Sequence, residues 1–580
     1  MKKPVSLLFL LFGFVTPLLA QQSPKVTVSG DVGVSYEYYG LDKMPETSIP
    51  NFYPARKPWN LFRYTFDPII SVGGWSIPFN FNFTSPPANF TTPSLGGLGN
   101  IGKQSFWQFL TNPANSFGIR PKIGTTEILL GTQYLKYSDL STGDLGIFGY
   151  GVNLSPGKFR IKFFNGTSQS PVNYVAPVLP NPGIVGAYQR NQWMGQLGME
   201  KEGKYFVGFN FVHSGDVQNS VSSPPLPPIL PQENMVISFL ATATTSTGWN
   251  YHIELGQSFH TRDLTTPLSV SPVEDLKPFL TSHTSTDKDN AVMLGIDKKG
   301  KDWELGAKMN YHGAGYYTAG YPFMNNDRIE YLGNTRFNAW KKKINVVASI
   351  GERYGNLSHT AGPNTTSQLI ANINAFTQFT ERFSLNMNFN NFGFNSPGIL
   401  GYKSVSNELS INPVYTWSNT KMSQLISGTY TWSKYNETTT SGTTSNNTQT
   451  ALLMYVPTWF TSKWSPDLSV MWFKDITTLT TLNLLNATAG VSWKASKKFS
   501  LKGQLQYNLS TTSPFTADKN LLGTLSFDWK IYQKLSWQFA LTGNLYHYGS
   551  DLPGSSLFPV YIGNPQYFES TMRTGLQYRF

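Results

Sequence analysis

Several features that are common in soluble proteins are missing from this sequence. It has no cysteine, which excludes disulfides, thiolate metal sites and a lipid anchor attached through cysteine. Charged residues make up only 13% of the chain, whereas about 25% is usual in soluble domains, so a fully water-facing surface would be short of charge. Past the first twenty residues there is no run of about 20 apolar residues, which excludes a transmembrane helix in that part.

The first twenty residues have the design of an export signal. Lys2 and Lys3 precede an apolar run from Val5 to Val15, and the small residue Ala20 follows. This run is shorter than the roughly 20 residues that a spanning helix needs. We therefore predict a signal peptide at 1–20 that is cleaved after Ala20. The rest, 21–580, is predicted to be a single domain, because no linker separates segments of different composition.

Apolar and polar residues alternate with a period of two in many segments. From 499 to 509, Leu505 and Tyr507 occupy odd positions, whereas Gln504 and Gln506 occupy even positions. Such runs are about 10 to 13 residues long, the length that a tilted strand needs to cross a bilayer. Strands of soluble sandwiches are usually about five or six residues long. The alternation therefore predicts transmembrane strands that face lipid on one side and water on the other.

The connections between these runs alternate between short and long. Short ones include 155–158 and 530–534, and long ones include 214–233, 313–326 and 551–566. Bacterial outer-membrane barrels have short periplasmic turns and longer outer loops. We therefore predict an all-β fold, an antiparallel up-and-down barrel of about 26 strands, with 22 to 26 acceptable and the segment near 117–133 least regular. The first short turn, at Gly73 and Gly74, follows the second strand, so both termini are expected in the periplasm.

The net charge of +12 is concentrated at the predicted short turns, for example at Lys341, Lys342 and Lys343. A nucleic-acid interface needs basic and aromatic residues clustered on one face, and these are scattered over a rim, so we expect no nucleic-acid partner. Aromatic residues beside the turns instead predict an interfacial girdle. They are Trp249, Trp303, Trp340, Phe379, Trp417, Trp464, Trp493 and Trp529.

The chain ends on an alternating segment in which Leu576, Tyr578 and Phe580 share one face. This segment closely resembles the last strand of Gram-negative outer-membrane β-barrel proteins, which ends in a terminal aromatic residue. The resemblance implies that these three residues form a signal read by the barrel-assembly machinery, and that this machinery and outer-membrane lipid are partners. No particular family is indicated. The first strand is expected near Lys25, which leaves no room for the plug domain of a TonB-dependent transporter or for a periplasmic domain.

The inward positions expected from the alternation are mostly Asn, Gln, Ser and Thr, which hydrate well without a strong field. They favour a wide, wet and nearly neutral lumen. We expect a porin-like channel that is passive or gated by loops. The alternatives are a structural or export barrel plugged by other secretion or envelope proteins and, less favoured, an outer-membrane enzyme. The residues predicted to line the lumen are Asn372, Asn374, Asn386, Asn388, Gln504 and Gln506.

Two loops and the histidines complete the predictions. The loop 85–116, with Phe106 and Trp107 in a short amphipathic stretch, could either constrict the lumen or pack on itself outside, and the sequence leaves both open. The tract rich in Ser, Thr and Asn from 437 to 450 predicts an outer loop. The seven histidines accompany no nucleophile motif and no metal-ligand spacing. We therefore predict no catalytic residue, no metal and no cofactor.

Overall fold

The structure is a computed structural model, and it describes residues 26–42, 57, 59–85, 115–143, 145–176, 185–226, 229–269, 279–360, 363–396, 402–439, 442–513, 517–549 and 566–580. The predicted signal peptide and most of the loop 85–116 lie outside these residues. The described residues contain one 3₁₀ turn, Gln218–Ser220. Within these ranges no helix is long and apolar enough to span a membrane.

Nearly all regular structure is strand, and the strands are long. They are β1 (Thr27–Asp42), β2 (Asn60–Val72), β3 (Trp75–Thr84), β4 (Ser116–Ile119), β5 (Lys122–Ile123), β6 (Thr126–Tyr134), β7 (Gly146–Leu154), β8 (Phe159–Gln169), β9 (Gln189–Lys201), β10 (Tyr205–Val217), β11 (Glu233–Thr244), β12 (Trp249–Thr261), β13 (Thr286–Lys299), β14 (Trp303–His312), β15 (Arg328–Ala339), β16 (Ile344–Gly355), β17 (Thr366–Gln378), β18 (Phe383–Ser396), β19 (Tyr402–Ser418), β20 (Met422–Thr439), β21 (Gly442–Trp459), β22 (Trp464–Ile476), β23 (Thr481–Lys494), β24 (Phe499–Thr512), β25 (Asp518–Lys530), β26 (Leu535–His547) and β27 (Gln566–Arg579).

The sheet closes on itself as an antiparallel barrel. Apart from β4 and β5, each strand pairs with its neighbours in sequence, and β1 pairs with both β2 and β27. At the seam, the backbone N–H of Phe580 donates to the Gly30 carbonyl at 3.0 Å, and the Gly30 N–H donates to the Phe580 carbonyl at 3.2 Å. Within the described residues, closure leaves the sheet without a free edge strand.

The short strands β4 and β5 together occupy one position in the barrel. Both lie between β3 and β6, so the barrel has 26 strands, which confirms the predicted number. The strand is interrupted at Pro121, which has no N–H to donate to the ladder. On the neighbouring strand, Gly131 has a φ of +79°, and a Cβ there would lie 1.9 Å from the Phe117 carbonyl oxygen. The irregularity falls in the segment where the sequence pattern was weakest.

One end of the barrel carries tight turns. Gly73 and Gly74, both with positive φ, form the two-residue turn between β2 and β3. Thr27 pairs with Ser71, so β1 starts at this same end, and the seam at Phe580 lies there too. Both ends of the described chain therefore lie at the short-turn end of the barrel. That this end faces the periplasm stays a prediction.

The predicted outer loop at 437–450 was wrong. Strands β20 and β21 are 18 residues long, and they pair as far as Thr439 opposite Gly442, with residues 440 and 441 outside the described part. Threonine is β-branched and favours extended backbone, and the hydroxyls of Thr438 and Thr443 lie 3.2 Å apart across the hairpin. A polar composition was mistaken for the absence of a strand.

The register gives every strand an apolar face and a polar face. Large side chains on the apolar face are widely exposed: Leu305 is 60% exposed, Leu453 59% and Leu505 60%. Aromatic residues of the predicted girdle lie on this face or beside it, at the short-turn end. Trp464 stacks on Trp493 at a centroid distance of 5.3 Å, and the Lys298 ammonium lies 4.9 Å from the Trp249 ring. We use "polar face" below for the opposite side of the sheet.

Candidate functional site

The six residues predicted to line the lumen all lie on the polar face. In the register, Asn372 faces Asn390, Asn374 faces Asn388, and Gln506 faces Thr488. The side-chain Nδ2 of Asn374 donates to Asn386 Oδ1 at 3.3 Å, and the side-chain Nε2 of Gln506 donates to Asn508 Oδ1 at 3.1 Å. Strands β17–β18 and β23–β24 thus carry a hydrogen-bonded surface of amides.

A second part of the polar face is covered by two loops from the end opposite the tight turns. Loop A, residues 135–143, follows β6, and loop B, residues 313–326, follows β14. Their apolar side chains are buried against the wall, and we call the two loops together the plug. The buried cluster comprises Leu129, Leu135, Tyr137, Leu140, Ile147, Phe164, Met194, Val212, Val236, Ala291, Met293 and Tyr316.

The wall beneath the plug is apolar although it belongs to the polar face. Phe164 on β8 faces Met194 on β9, Met194 faces Val212 on β10, and Val212 faces Val236 on β11. These four side chains form a row across four strands, and all are buried. Full burial of such a side chain contributes about 1.5–3 kcal/mol, so the row is a seat that holds the plug.

The tip of loop A is held by a buried carboxylate. Glu254, which is 0% exposed, lies near the middle of β12. Its two oxygens accept the backbone N–H groups of Asp139 and Leu140, each at 3.1 Å. Buried backbone N–H groups need a partner, and this one side chain supplies both. Loop A therefore reaches about halfway along the strand.

The two loops also hold each other. The Tyr316 hydroxyl donates to the Leu140 carbonyl at 2.8 Å, and the Thr318 hydroxyl donates to that of Ser141 at 2.6 Å. The Gly143 N–H donates to the Gly320 carbonyl at 2.7 Å. A Cβ on Gly143 would lie 2.5 Å from the Tyr321 ring, so glycine permits this approach. The plug is one packed unit.

Several side chains of the polar face bind the backbone of loop B, among them an amide and a carboxylate. The Asn234 side chain on β11 accepts the Ala319 N–H at 2.9 Å and donates to the Tyr317 carbonyl at 2.9 Å. On β13, Asp289 accepts the Gly315 N–H at 2.7 Å. The loop thus uses side chains of the polar face as its backbone partners.

Two ionisable residues of the plug illustrate its electrostatics, one in an ion pair and one held in the neutral form. Asp139 forms an ion pair with Lys136 at 2.7 Å. Burial opposes the ionised form of Asp139, but the hydrogen bond from Lys136 and the positive charges of Lys136 and Lys308 outweigh it and hold the pKa of this carboxyl below its usual range. Burial, with a smaller effect of Glu254, raises the pKa of the Tyr316 hydroxyl far above its ordinary value. Tyr316 is thus a neutral hydrogen-bond donor at physiological pH.

The wall next to the plug carries further ion pairs on the polar face. On β15 and β16, Glu330 accepts the Arg353 Nε–H at 2.7 Å. On β9 and β10, Arg190 binds Asp216 through two hydrogen bonds of 2.7 and 2.9 Å. The described residues contain no group of three or more His, Asp or Glu that could hold a metal ion.

Sequence reasoning did not find the plug. It identified the loop after β14 only as a long connection, and its candidate for a constriction, the loop 85–116, lies mostly outside the described residues. The available signal was the set of apolar residues at positions where the alternation requires polar ones, such as Phe164, Met194 and Val236.

No protein-family model matches the chain, and no curated protein matches it in sequence. Similar solved structures include the copper transporter OprC, with 9% identity over 97% of this chain and 81% of that chain, at a TM-score of 0.41. The ferric-catecholate import receptor Fiu from E. coli K12 has 10% identity over 96% and 82%, at 0.35. The P pilus usher PapC translocation pore has 8% identity over 96% and 99%, at 0.34. Similarities this low carry no argument about what the chain does.

Proposed function

We propose that this chain is an integral outer-membrane channel, whose lumen is lined by the polar face and narrowed by the plug of loops A and B. The observation that carries the proposal is that the plug and the amide surface lie on different strands of the barrel. The plug's hydrogen bonds to the wall described above go to β11, β12 and β13, whereas the amide surface lies on β17–β18 and β23–β24. Plug and amide surface thus occupy different parts of the barrel.

The apolar face supports a membrane location. Exposed Leu, Val and Phe side chains surround the closed sheet, and a continuous apolar band of this kind is stable only against lipid. Aromatic residues such as Trp303, 45% exposed, and Trp340, 58% exposed, lie at the short-turn end, where an interfacial girdle is expected. Outer-membrane lipid is the partner that this surface fits.

Orientation and assembly are part of the same proposal. Short turns face the periplasm in outer-membrane barrels, so both ends of the described chain would lie there. Leu576 and Tyr578, on the apolar face of β27, are 48% and 44% exposed, and the Tyr578 ring stacks on Phe580 at 6.0 Å. This exposed apolar face of the last strand is what the barrel-assembly machinery would bind.

The test is the current carried by the purified full-length chain in a planar lipid bilayer. A channel gives discrete current steps on its own, because the amide surface leaves a wet path beside the plug. Folded, inserted protein that carries no current would contradict the proposal. An export barrel would in addition copurify with a partner from native membranes, and an outer-membrane enzyme would act on lipid or peptide in detergent.

A further inference from the structure

A cavity of about 480 Å³ lies where the plug meets the wall. Loop A contributes Lys136 and Asp139, loop B contributes Tyr321 and Phe323, and the polar face of β14 and β15 contributes the remaining side chains used below. Small-molecule sites have this size and are bounded by a few polar groups among apolar ones. The cavity is therefore large enough for a small solute.

The cavity has a positive excess. Lys136, Lys308 and Arg328 line it together with one carboxylate, Asp139, which is already paired with Lys136 at 2.7 Å. Among the described residues, no carboxylate oxygen lies within 4.0 Å of the Lys308 ammonium. Lys308 and Arg328 are thus left to attract an anion.

The Glu330 carboxylate, which follows Arg328 on β15, does not neutralise this charge. Its Oε2 accepts the Arg353 Nε–H at 2.7 Å and also contacts the Arg353 Nη2. The guanidinium of Arg353 therefore holds Glu330, and Arg328 has no ion-pair partner of its own within the described part of the chain.

Three polar atoms that line the cavity or border it are buried and have no hydrogen-bond partner. They are His312 Nε2, Asn310 Oδ1 and Arg328 Nε. His312 is only 5% exposed, and its Nδ1 is bonded to the Asn325 carbonyl at 2.9 Å, so Nδ1 carries the proton. In the neutral ring Nε2 is then an acceptor that lacks a donor. His312 and Arg328 are directly opposed in the register, and Asn310 lies two residues before His312, so the three side chains start from one part of the polar face. Buried polar atoms without partners are uncommon in native proteins.

We propose that this cavity is a binding site for a small organic anion that carries hydroxyl groups, such as a sugar acid. Its carboxylate accepts from Lys308 and from Arg328 Nε–H, and its hydroxyls donate to His312 Nε2 and Asn310 Oδ1. Tyr321 and Phe323 supply rings for the apolar face of the solute. The inference rests on the proposed function, because a site in the lumen serves only solutes that enter it.

Binding is measured by isothermal titration calorimetry on the purified full-length barrel in detergent. The probes are glucuronate, glucose, which lacks the charge, and hexanoate, which lacks the hydroxyls. We expect glucuronate to bind at least tenfold more tightly than either. Glucose or hexanoate binding as tightly as glucuronate, or no binding of glucuronate, overturns the proposal.

Variants locate the site. Lys308→Gln should weaken glucuronate binding at least tenfold, and His312→Phe should remove its advantage over hexanoate. The matched control Lys502→Gln, on the polar face of β24, should leave binding unchanged; equal losses in Lys502→Gln and Lys308→Gln overturn the assignment. Heat-dependent mobility on gels shows that each variant is folded. Binding needs no current, so a barrel that conducts without binding refutes only this site, and one that binds without conducting refutes the channel.

Discussion

Removal of the Glu254 side chain should release the tip of loop A from the wall. The carboxylate is the acceptor for two successive backbone N–H groups, those of Asp139 and Leu140. Alanine at this position removes both acceptors while the donors stay buried beneath the packed loop, and movement of the loop into the lumen exposes both donors to water. Glu254→Ala therefore favours a state in which loop A is detached.

The magnitude follows from the two lost acceptors. A buried donor left unpaired costs about 1–3 kcal/mol, so two cost about 2–6 kcal/mol. Since about 1.4 kcal/mol is a factor of ten, the detached state should gain between about 30-fold and about 10⁴-fold in population. The bonds from Tyr316 and Thr318 to loop A are intact in this variant, and they oppose its separation from loop B.

Single-channel recording in planar bilayers measures the effect. Glu254→Ala should show more frequent or longer events of higher conductance than the native barrel, and Glu254→Gln, which keeps one acceptor oxygen, should lie between the two. Glu408→Ala is the matched control. Glu408 is a polar-face carboxylate on β19, and it accepts one side-chain hydrogen bond of 3.4 Å from Asn390. Its loss removes a charge from the lumen and so shifts ion preference, but it should not add the events of higher conductance, because no backbone group among the described plug residues depends on it.

Limited proteolysis at loop A separates the two ways in which this reasoning can fail. If loop A of Glu254→Ala becomes cleavable while the conductance stays native, the plug is not the constriction. If loop A stays as resistant as in the native protein, the two hydrogen bonds to Glu254 are not what holds it.

Four further outcomes follow from the same structure. Asn386→Asp should shift the reversal potential in a KCl gradient toward cations and Asn386→Lys toward anions, and no shift in either would mean that the polar face does not line the lumen. Leu505→Arg on the apolar face should lower the free energy of unfolding by urea from lipid vesicles by about 2–4 kcal/mol, whereas Gln506→Arg should lower it by less than about 1 kcal/mol; equal losses would contradict the assignment of the faces. Gly143→Cys with Tyr321→Cys joins loops A and B in a chain without other cysteines, because the two Cβ atoms would lie 3.2 Å apart. If the loops separate on opening, oxidation should lower the frequency of open events and a reductant should restore it. Phe580→Ala should reduce the amount of assembled protein in cells severalfold and leave folding into detergent unchanged. Normal assembly in cells would show that the terminal aromatic residue is not an assembly signal.

The alternation of apolar and polar residues was enough to predict the barrel strands, because side chains along a strand repeat every two residues. Leu505 and Gln506 lie on opposite faces in any sheet that contains this segment, so the fold class needed no tertiary information. The number of strands was harder, since Pro121 divides one strand into two short pieces. The tract at 437–450 failed for a related reason: composition suggested a loop, but Thr438 and Thr443 pair across a long hairpin. The two-residue period and the possible cross-strand pairs therefore predict a strand more reliably than the polarity of its residues does.

The plug escaped prediction because its evidence is spread over many strands. Phe164 and Met194 are each the one large apolar residue on the polar face of β8 and β9, whereas Val212 shares the polar face of β10 with Phe206 and Val236 shares that of β11 with Leu240. On any one strand, one or two such residues read as tolerated variation. The register places the four side by side, and only then do they form a seat. The partners of the backbone of loops A and B, Glu254 and Asn234, are likewise ordinary polar-face residues until the loops are folded against them. The register of a closed sheet therefore adds what the sequence lacks. It shows which apolar residues of the polar face are neighbours, and a group of such neighbours marks the place where a loop packs against the wall.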